Sequence, residues 1–233
     1  FEAVRIAIRY RTPVILLSDT FLASSSEPWR IPAVEDLPDI DPAFARARAG
    51  ETFQPYVRDE RLARPWALPG TEGLQHRIGG LEKADITGNI SYEASNHARM
   101  TGLREAKVAG IADEVPPLEV NADPDASLLV IGWGSSEGAI RAGARRARLK
   151  GHKVALAHVH NLNPLPPNTG DVLRAFDRVL VPEMNSGQLA MLLRSRFLVD
   201  VESFCKVQGQ PIFASEIERE IIARTAARNG GSK

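Results

Sequence analysis

His76 and Arg77 stand side by side in a glycine-dense stretch, Pro69-Gly70-Thr71-Glu72-Gly73-Leu74-Gln75-His76-Arg77-Ile78-Gly79-Gly80. An imidazole beside a guanidinium is suited to hold a carboxylate, because the guanidinium can donate to both carboxylate oxygens at once. Glycines let the backbone approach whatever is held. The competing reading is structural: His76 caps a turn and Arg77 makes a surface ion pair. Glu183 and Asn185 are a second candidate. They follow a strand expected over Arg178–Pro182, and open α/β sheets bind ligands just beyond the carboxyl ends of their strands. A helix cap and a subunit contact is the plainer account of that pair.

Other reactive residue types lack the neighbours that chemistry would need. His158 and His160 alternate along a strand and so share a face, but no third metal ligand accompanies them, which favours core or interface histidines. Ser135-Ser136 has no G-x-S-x-G context, so hydrolase chemistry is not indicated. Arg141, Arg145, Arg146 and Arg148 read as a solvated helix face or subunit contact. The single cysteine, Cys205, excludes an internal disulfide and a four-cysteine iron–sulfur cluster within this chain. Its setting, Val201 to Val207, reads as a strand or strand edge, with a buried, inert thiol favoured over a nucleophile. Lys plus Arg equals Asp plus Glu at 29 each, so no global field would draw in nucleic acid or an anionic membrane. No apolar run approaches bilayer length and no secretory signal is visible, which makes a cytoplasmic location the expectation.

The elements that must position these residues are clearest from Ser127 to Pro164. Leu128–Ile131 is a continuous apolar run, as a strand buried on both faces requires. Gly132-Trp133-Gly134-Ser135-Ser136 makes a tight turn in which Ser135 or Ser136 can cap the next helix. Ile140, Ala144 and Ala147 give that helix its inner face, Gly151 ends it, and Val154–Val159 is the next strand. The unit resembles a dinucleotide site only in outline. Gly138 comes one position late for G-x-G-x-x-G, the second strand carries no acid for a ribose, and no phosphate loop occurs anywhere. It reads as scaffold.

Phe1, Val4 and Ile8 lie at helical spacing, so the chain opens inside a helix running to about Tyr10, followed by a strand over Val14–Leu17. That opening suggests a fragment of a longer protein. Ser18 to about Gly50, rich in Pro, Ser, Asp and Glu, is too long for an ordinary connection and reads as a strap. A helix is expected over Ser91–Ile111, and Val115–Asp125 links it to the βαβ unit. Helices over Asp171–Phe176 and Ser186–Leu198 bracket the strand before Glu183, and Val199–Phe204 is a further strand. A capping box of Ser215 and Glu218 starts the last helix, which buries Ile217, Ile221 and Ile222; Asn229–Lys233 is a frayed tail. Strands alternating with helices from Ser127 onward define the fold class as α/β with an open parallel sheet.

Three segments carry a family resemblance. Pro13 to Pro32, PVILLSDTFLASSSEPWRIP, is similar to the stretch that closes the pyrimidine-side domain in α subunits of 2-oxoacid:ferredoxin oxidoreductases. Gly73-Leu74-Gln75-His76 is similar to their T-G-x-E-H loop, with Gln75 in place of the usual Glu. Val181-Pro182-Glu183-Met184-Asn185-Ser186-Gly187-Gln188-Leu189 is similar to their E-x-N-x-G-Q-L segment. The family's Y-P-I-T-P and Q-R-G-G-P segments are not in this chain, and by the resemblance would precede Phe1.

The resemblance looks nearest to the 2-oxoglutarate enzymes, with pyruvate or branched-chain 2-oxoacid enzymes as the alternative and a non-catalytic α/β interaction module as the reading from another class. It implies the C-terminal part of an α subunit that is inactive alone, in a heterotetramer with a second α subunit and with β subunits. The assembled enzyme would decarboxylate 2-oxoglutarate oxidatively to succinyl-CoA, taking CoA as substrate and ferredoxin as electron acceptor. Thiamine diphosphate, Mg²⁺ and a [4Fe-4S] cluster are implied for the assembly, with metal and cluster on the β subunit. The expected organisation is residues 1–32 as the tail of the pyrimidine-side thiamine-diphosphate domain, then 33–112 as strap, substrate-side loop and linking helix. Residues 113–228 would form a transketolase C-terminal-domain-like sheet and 229–233 a tail. No residue here is implied as catalytic, cofactor-binding or metal-ligating. Leu74, His76 and Arg77 are the implied substrate-side residues, with Leu74 lining the cavity.

Overall fold

The computed structural model describes residues 1–37 and 39–226, so the tail expected over Asn229–Lys233 lies outside the described residues. In chain order the helices are α1 (Glu2–Tyr10), α2 (Thr20–Ser24), α3 (Ala94–Gly110), α4 (Glu137–Leu149), α5 (Thr169–Arg174), α6 (Gln188–Phe197) and α7 (Ala214–Ala226). The strands are β1 (Val120–Ala122), β2 (Leu128–Trp133), β3 (Ala155–Val159), β4 (Arg178–Glu183) and β5 (Val201–Cys205). They divide between two units. One comprises residues 1–16 with 28–114, and the other residues 17–27 with 115–226.

The second unit is the α/β layer. Its sheet runs β1-β3-β2-β4-β5, with β3, β2, β4 and β5 parallel and β1 antiparallel at one edge. Leu129 sits opposite Ala155 and Val179 opposite Val201, which brings alternate apolar side chains of neighbouring strands to one face. One face packs Leu129, Ile131, Val179 and Val181 against Leu173 of α5 and Leu189 and Leu193 of α6. The other packs Leu128, Val130 and Leu180 against Ile140 and Ala144 of α4 and Ile217 and Ile221 of α7. Helices on both faces explain why β2 and β4 read as unbroken apolar runs. Gly143 makes the α4–α7 contact this close: a Cβ there would meet Ile217 Cβ at 2.6 Å and Ala214 O at 2.7 Å.

The first unit is poor in regular structure and is built around charged clips. Glu114 receives the Tyr10 hydroxyl at 2.8 Å and ion-pairs with Arg5 and Arg9, each at 2.9 Å. Burial and that carboxylate push the Tyr10 phenol up to about 12. Asp85 lies between Arg58 and Arg99, at 2.5 Å from each. Against the desolvation that burial imposes, Arg99 and Arg58 hold its carboxyl below the ordinary range. Asn96 of α3 donates to Lys83 O at 2.9 Å and accepts from Asp85 N at 3.0 Å, which fastens segment 83–85 to the helix.

Several local expectations change. Val14–Leu17 forms no strand: it is extended without ladder partners, and Ile15 and Leu16 are 82% and 81% exposed. An apolar run becomes a strand only beside another strand, and none pairs with it among the described residues. The expected link over Val115–Asp125 contains β1. Cys205 is exposed rather than buried, because β5 is the sheet edge and its side chains alternate between core and solvent. The last helix starts at Ala214, and its first turn is closed by Glu216, which accepts from Phe213 N at 2.7 Å; Glu218 pairs instead with Lys150 at 2.7 Å.

Candidate functional site

The glycine-dense loop of the first unit is held from below and open above. Leu74 is only 4% exposed and anchors the loop, whereas Gln75 through Gly80 are exposed without a break. Gly73 makes the entry turn possible, since it has φ 78° and a Cβ there would lie 2.9 Å from Ala47 Cβ. His76 and Leu74 are brought together: His76 Nδ1 is 2.8 Å from Leu74 O. A carbonyl can only accept, so Nδ1 carries a proton in this contact. The imidazole also meets the Phe53 ring edge-on at 5.3 Å between centroids. Arg77 is not brought to either. It is exposed and makes no ion pair or hydrogen bond among the described residues, leaving its guanidinium fork open to a carboxylate.

Lys83 supplies the support that sequence reasoning missed. It is 4% exposed, and its ammonium donates to Gly79 O at 2.9 Å and Leu81 O at 2.5 Å, closing the loop's far side. A lysine in Leu81-Glu82-Lys83-Ala84-Asp85 looks like a solvated surface residue, so no local signal marks it as buried.

The second unit offers a cleft at its topological switch point. From β2 the chain crosses to β3 on one side, then returns to β4 on the other, leaving a crevice at the carboxyl ends of β2 and β4. Trp133, Gly134 and Ser135 form one wall, Pro182, Met184 and Asn185 the other, and Leu17, Asp19 and Leu22 close over about 270 Å³. Glu183 belongs to the framework rather than the opening. It is 1% exposed and accepts from Leu189 N at 2.9 Å, Ala190 N at 3.0 Å, Asn185 Nδ2 at 2.9 Å and Trp133 Nε1 at 3.3 Å. Asn185 Oδ1 adds Gly187 N at 2.7 Å. The pair therefore caps α6, as its plainer account expects, with the carboxylate fully engaged. Asp19 caps α2 through Leu22 N at 3.0 Å and accepts from the Ser135 hydroxyl, so Ser135 latches the strap rather than capping α4. That hydroxyl first, and the Leu22 amide second, hold the Asp19 carboxyl below the usual range.

His158 and His160 do share a face, with ring centroids 5.1 Å apart; burial, reinforced by His160 and Arg141, lowers the pKa of His158. Among the described residues no three His, Cys, Asp or Glu side chains gather as a metal-ligand set, and one exposed cysteine cannot hold a cluster. The described residues thus do not fit a resident metal or iron–sulfur group. No described helix is long and apolar enough to cross a membrane.

No protein-family model matches the chain. Individual proteins do. The chain is 58% identical over 230 residues to the 2-oxoglutarate oxidoreductase subunit KorA of Mycobacterium tuberculosis, covering 97% of this chain and 34% of that protein. It is 29% identical over 247 residues to subunit alpha of 2-oxoacid:ferredoxin oxidoreductase 1 of Aeropyrum pernix, covering 100% of this chain and 37% of that one. Its fold matches the 2-oxoglutarate:ferredoxin oxidoreductase of Magnetococcus marinus, solved with 2-oxoglutarate, coenzyme A and succinyl-CoA bound, with a TM-score of 0.86 and 30% identity. That match covers 95% of this chain and 39% of the solved one. The chain therefore spans about a third of the length of these relatives, and over that third it resembles the α subunit of 2-oxoacid:ferredoxin oxidoreductases.

Proposed function

From that resemblance we propose that the chain is part of the α subunit of a 2-oxoglutarate:ferredoxin oxidoreductase, an enzyme that oxidatively decarboxylates 2-oxoglutarate to succinyl-CoA and passes the electrons to ferredoxin. The observation that carries this reading is the 58% identity to KorA over 97% of the chain. In the assembly, a β subunit and a second α subunit are the partners, the location is cytoplasmic, and thiamine diphosphate, Mg²⁺ and a [4Fe-4S] cluster are the cofactors. Metal and cluster are assigned to the β subunit, in keeping with the poor fit of the described residues to either group. Thiamine diphosphate, when bound, supplies the carbanion-stabilising centre for decarboxylation. This chain's residues bind and orient.

Leu74 seats the loop, Leu74 O orients the His76 imidazole, and Arg77 presents an unpaired guanidinium. A 2-oxoacid with a second, distal carboxylate is the substrate that such a guanidinium favours. The switch-point cleft and its Glu183 cap hold the sheet end rigid. The test is reduction of a viologen acceptor by the full α subunit assembled with its β subunit. Reduction requiring both 2-oxoglutarate and CoA is expected, with little from pyruvate. A preference for pyruvate or a branched-chain 2-oxoacid would favour the relatives that act on those substrates, and reduction by this chain without a β subunit would overturn the assignment.

A further inference from the structure

The first unit carries a cavity of about 820 Å³ whose charge is not balanced by its own residues. Six arginines line it: Arg5, Arg9, Arg11, Arg58, Arg61 and Arg64. Four have carboxylate partners. Arg5 and Arg9 meet Glu114, Arg58 meets Asp85, and Arg61 meets Asp59 and Glu60. Arg11 and Arg64 have none within ion-pair distance among the described residues. The acids on the lining do not fill that role. Asp59 accepts from Ala63 N at 2.8 Å as well as pairing with Arg61, and Asp41 accepts from Ala43 N at 2.8 Å.

Both unpaired guanidiniums are pinned by aromatic faces. Arg11 lies 4.8 Å from the Trp66 ring centroid and Arg64 lies 4.3 Å from that of Tyr56. A stacked guanidinium keeps its plane fixed, so its edge donors are pre-set for an oxyanion. Arg11 donates through Nη2 to Pro42 O, but its Nε and Nη1 are sealed from solvent with no acceptor among the described residues. Leaving such donors unpaired carries their full desolvation cost. A third cation adds to the excess: Lys107 of α3 donates to Arg11 O at 3.1 Å. Burial lowers the pKa of Arg11 and of Lys107, and for Lys107 the neighbouring Arg64 and Arg58 lower it further. The neighbouring guanidiniums of Arg64 and Arg58, which disfavour the charged form of Lys107, would favour a bound anion.

We propose that this cavity binds a small dianionic oxyanion, a dicarboxylate or a phosphate, between Arg11 and Arg64. The anion supplies the countercharge that Arg11, Arg64 and Lys107 lack. This site does not depend on the oxidoreductase assignment, which rests on the likeness to KorA, nor on the glycine-dense loop. The internal competitor is Asp39, which lines the cavity and could close on Arg11 in the ligand's place.

Thermal unfolding of the full chain in inorganic phosphate and in succinate, each against sodium chloride at equal ionic strength, separates these cases. A saturable rise in melting temperature is expected with one or both anions, and the stronger effect identifies phosphate or carboxylate as the ligand chemistry. Arg64→Gln should weaken the apparent affinity at least tenfold. Arg11→Lys, which keeps the charge and removes the fork, should weaken it as well should Arg11→Gln fail to fold. Arg145→Gln, on α4 of the other unit, should leave it unchanged. The proposal is overturned if both anions act no more strongly than chloride, if Arg64→Gln and Arg11→Lys both bind like the parent, or if Asp39→Asn destabilises the chain while neither anion has a saturable effect.

Discussion

Replacing Glu183 with Ala should destabilise the sheet unit by far more than a surface charge change. The carboxylate accepts four hydrogen bonds, from Trp133, Asn185, Leu189 and Ala190, and is 1% exposed. A hydrogen bond to a charged group is worth about 1.5–3 kcal/mol net, but these four share one acceptor and do not add. Water entering through the adjoining cleft of about 270 Å³ would also re-solvate some of the donors. The expected loss is therefore about 3–5 kcal/mol, the range for stripping one side of a buried charged network. For a chain of this size that corresponds to a fall of roughly 6–20 °C in melting temperature. Glu183→Gln keeps the shape and one good acceptor but turns an amide donor toward other donors, so it should cost about half as much. Urea denaturation followed by far-UV circular dichroism gives the numbers, with Arg145→Gln, at an exposed position of α4, as the reference. A loss below about 1 kcal/mol for the Ala variant would refute the view that Glu183 holds α6 to β4.

Other outcomes follow from single contacts. Gly143→Ala should cost about 1–3 kcal/mol in the same urea assay, because its Cβ would fall 2.6 Å from Ile217 Cβ; parent-like stability would mean the α4–α7 packing is looser than described. Asp19 has a folded-state pKa below its ordinary 3.8, so its latch contributes fully above that value and is lost as pH falls through the folded-state pKa. Ser135→Ala should accordingly speed limited proteolysis within residues 17–27 at neutral pH, with the difference from the parent shrinking in acid. A difference independent of pH would detach the latch from Asp19 ionisation.

The sheet was legible where burial on both sides leaves an unmistakable apolar run, as at Leu128–Ile131, or where 3.6-residue spacing repeats, as at Ile140, Ala144 and Ala147. Strand β1 was not, since three residues are too few to carry a period and depend on pairing with Ala155–Ala157. Val14–Leu17 failed in the opposite sense: its composition suits a strand, but strand formation is a property of the pair. At the candidate site, Gly73 and the exposed Arg77 could be read from residue type. The burial of Lys83 could not, because a lysine between Glu82 and Asp85 reads as solvated and its partners, Gly79 O and Leu81 O, are backbone carbonyls that residue type does not mark. Glu183 was visible as a carboxylate at a strand end, and only its saturated hydrogen bonding distinguishes a helix cap from a binding group.

The central claim is that the loop from Gly73 to Lys83 faces a substrate with two carboxylates, and Arg77→Ala in the assembled enzyme tests it most directly. Loss of a charge-assisted contact of about 1.5–3 kcal/mol corresponds to roughly a tenfold to hundredfold change. KM for 2-oxoglutarate should rise by that factor while KM for pyruvate, which has no distal carboxylate, changes little. An equal rise for both substrates, or no rise for 2-oxoglutarate, would contradict the account.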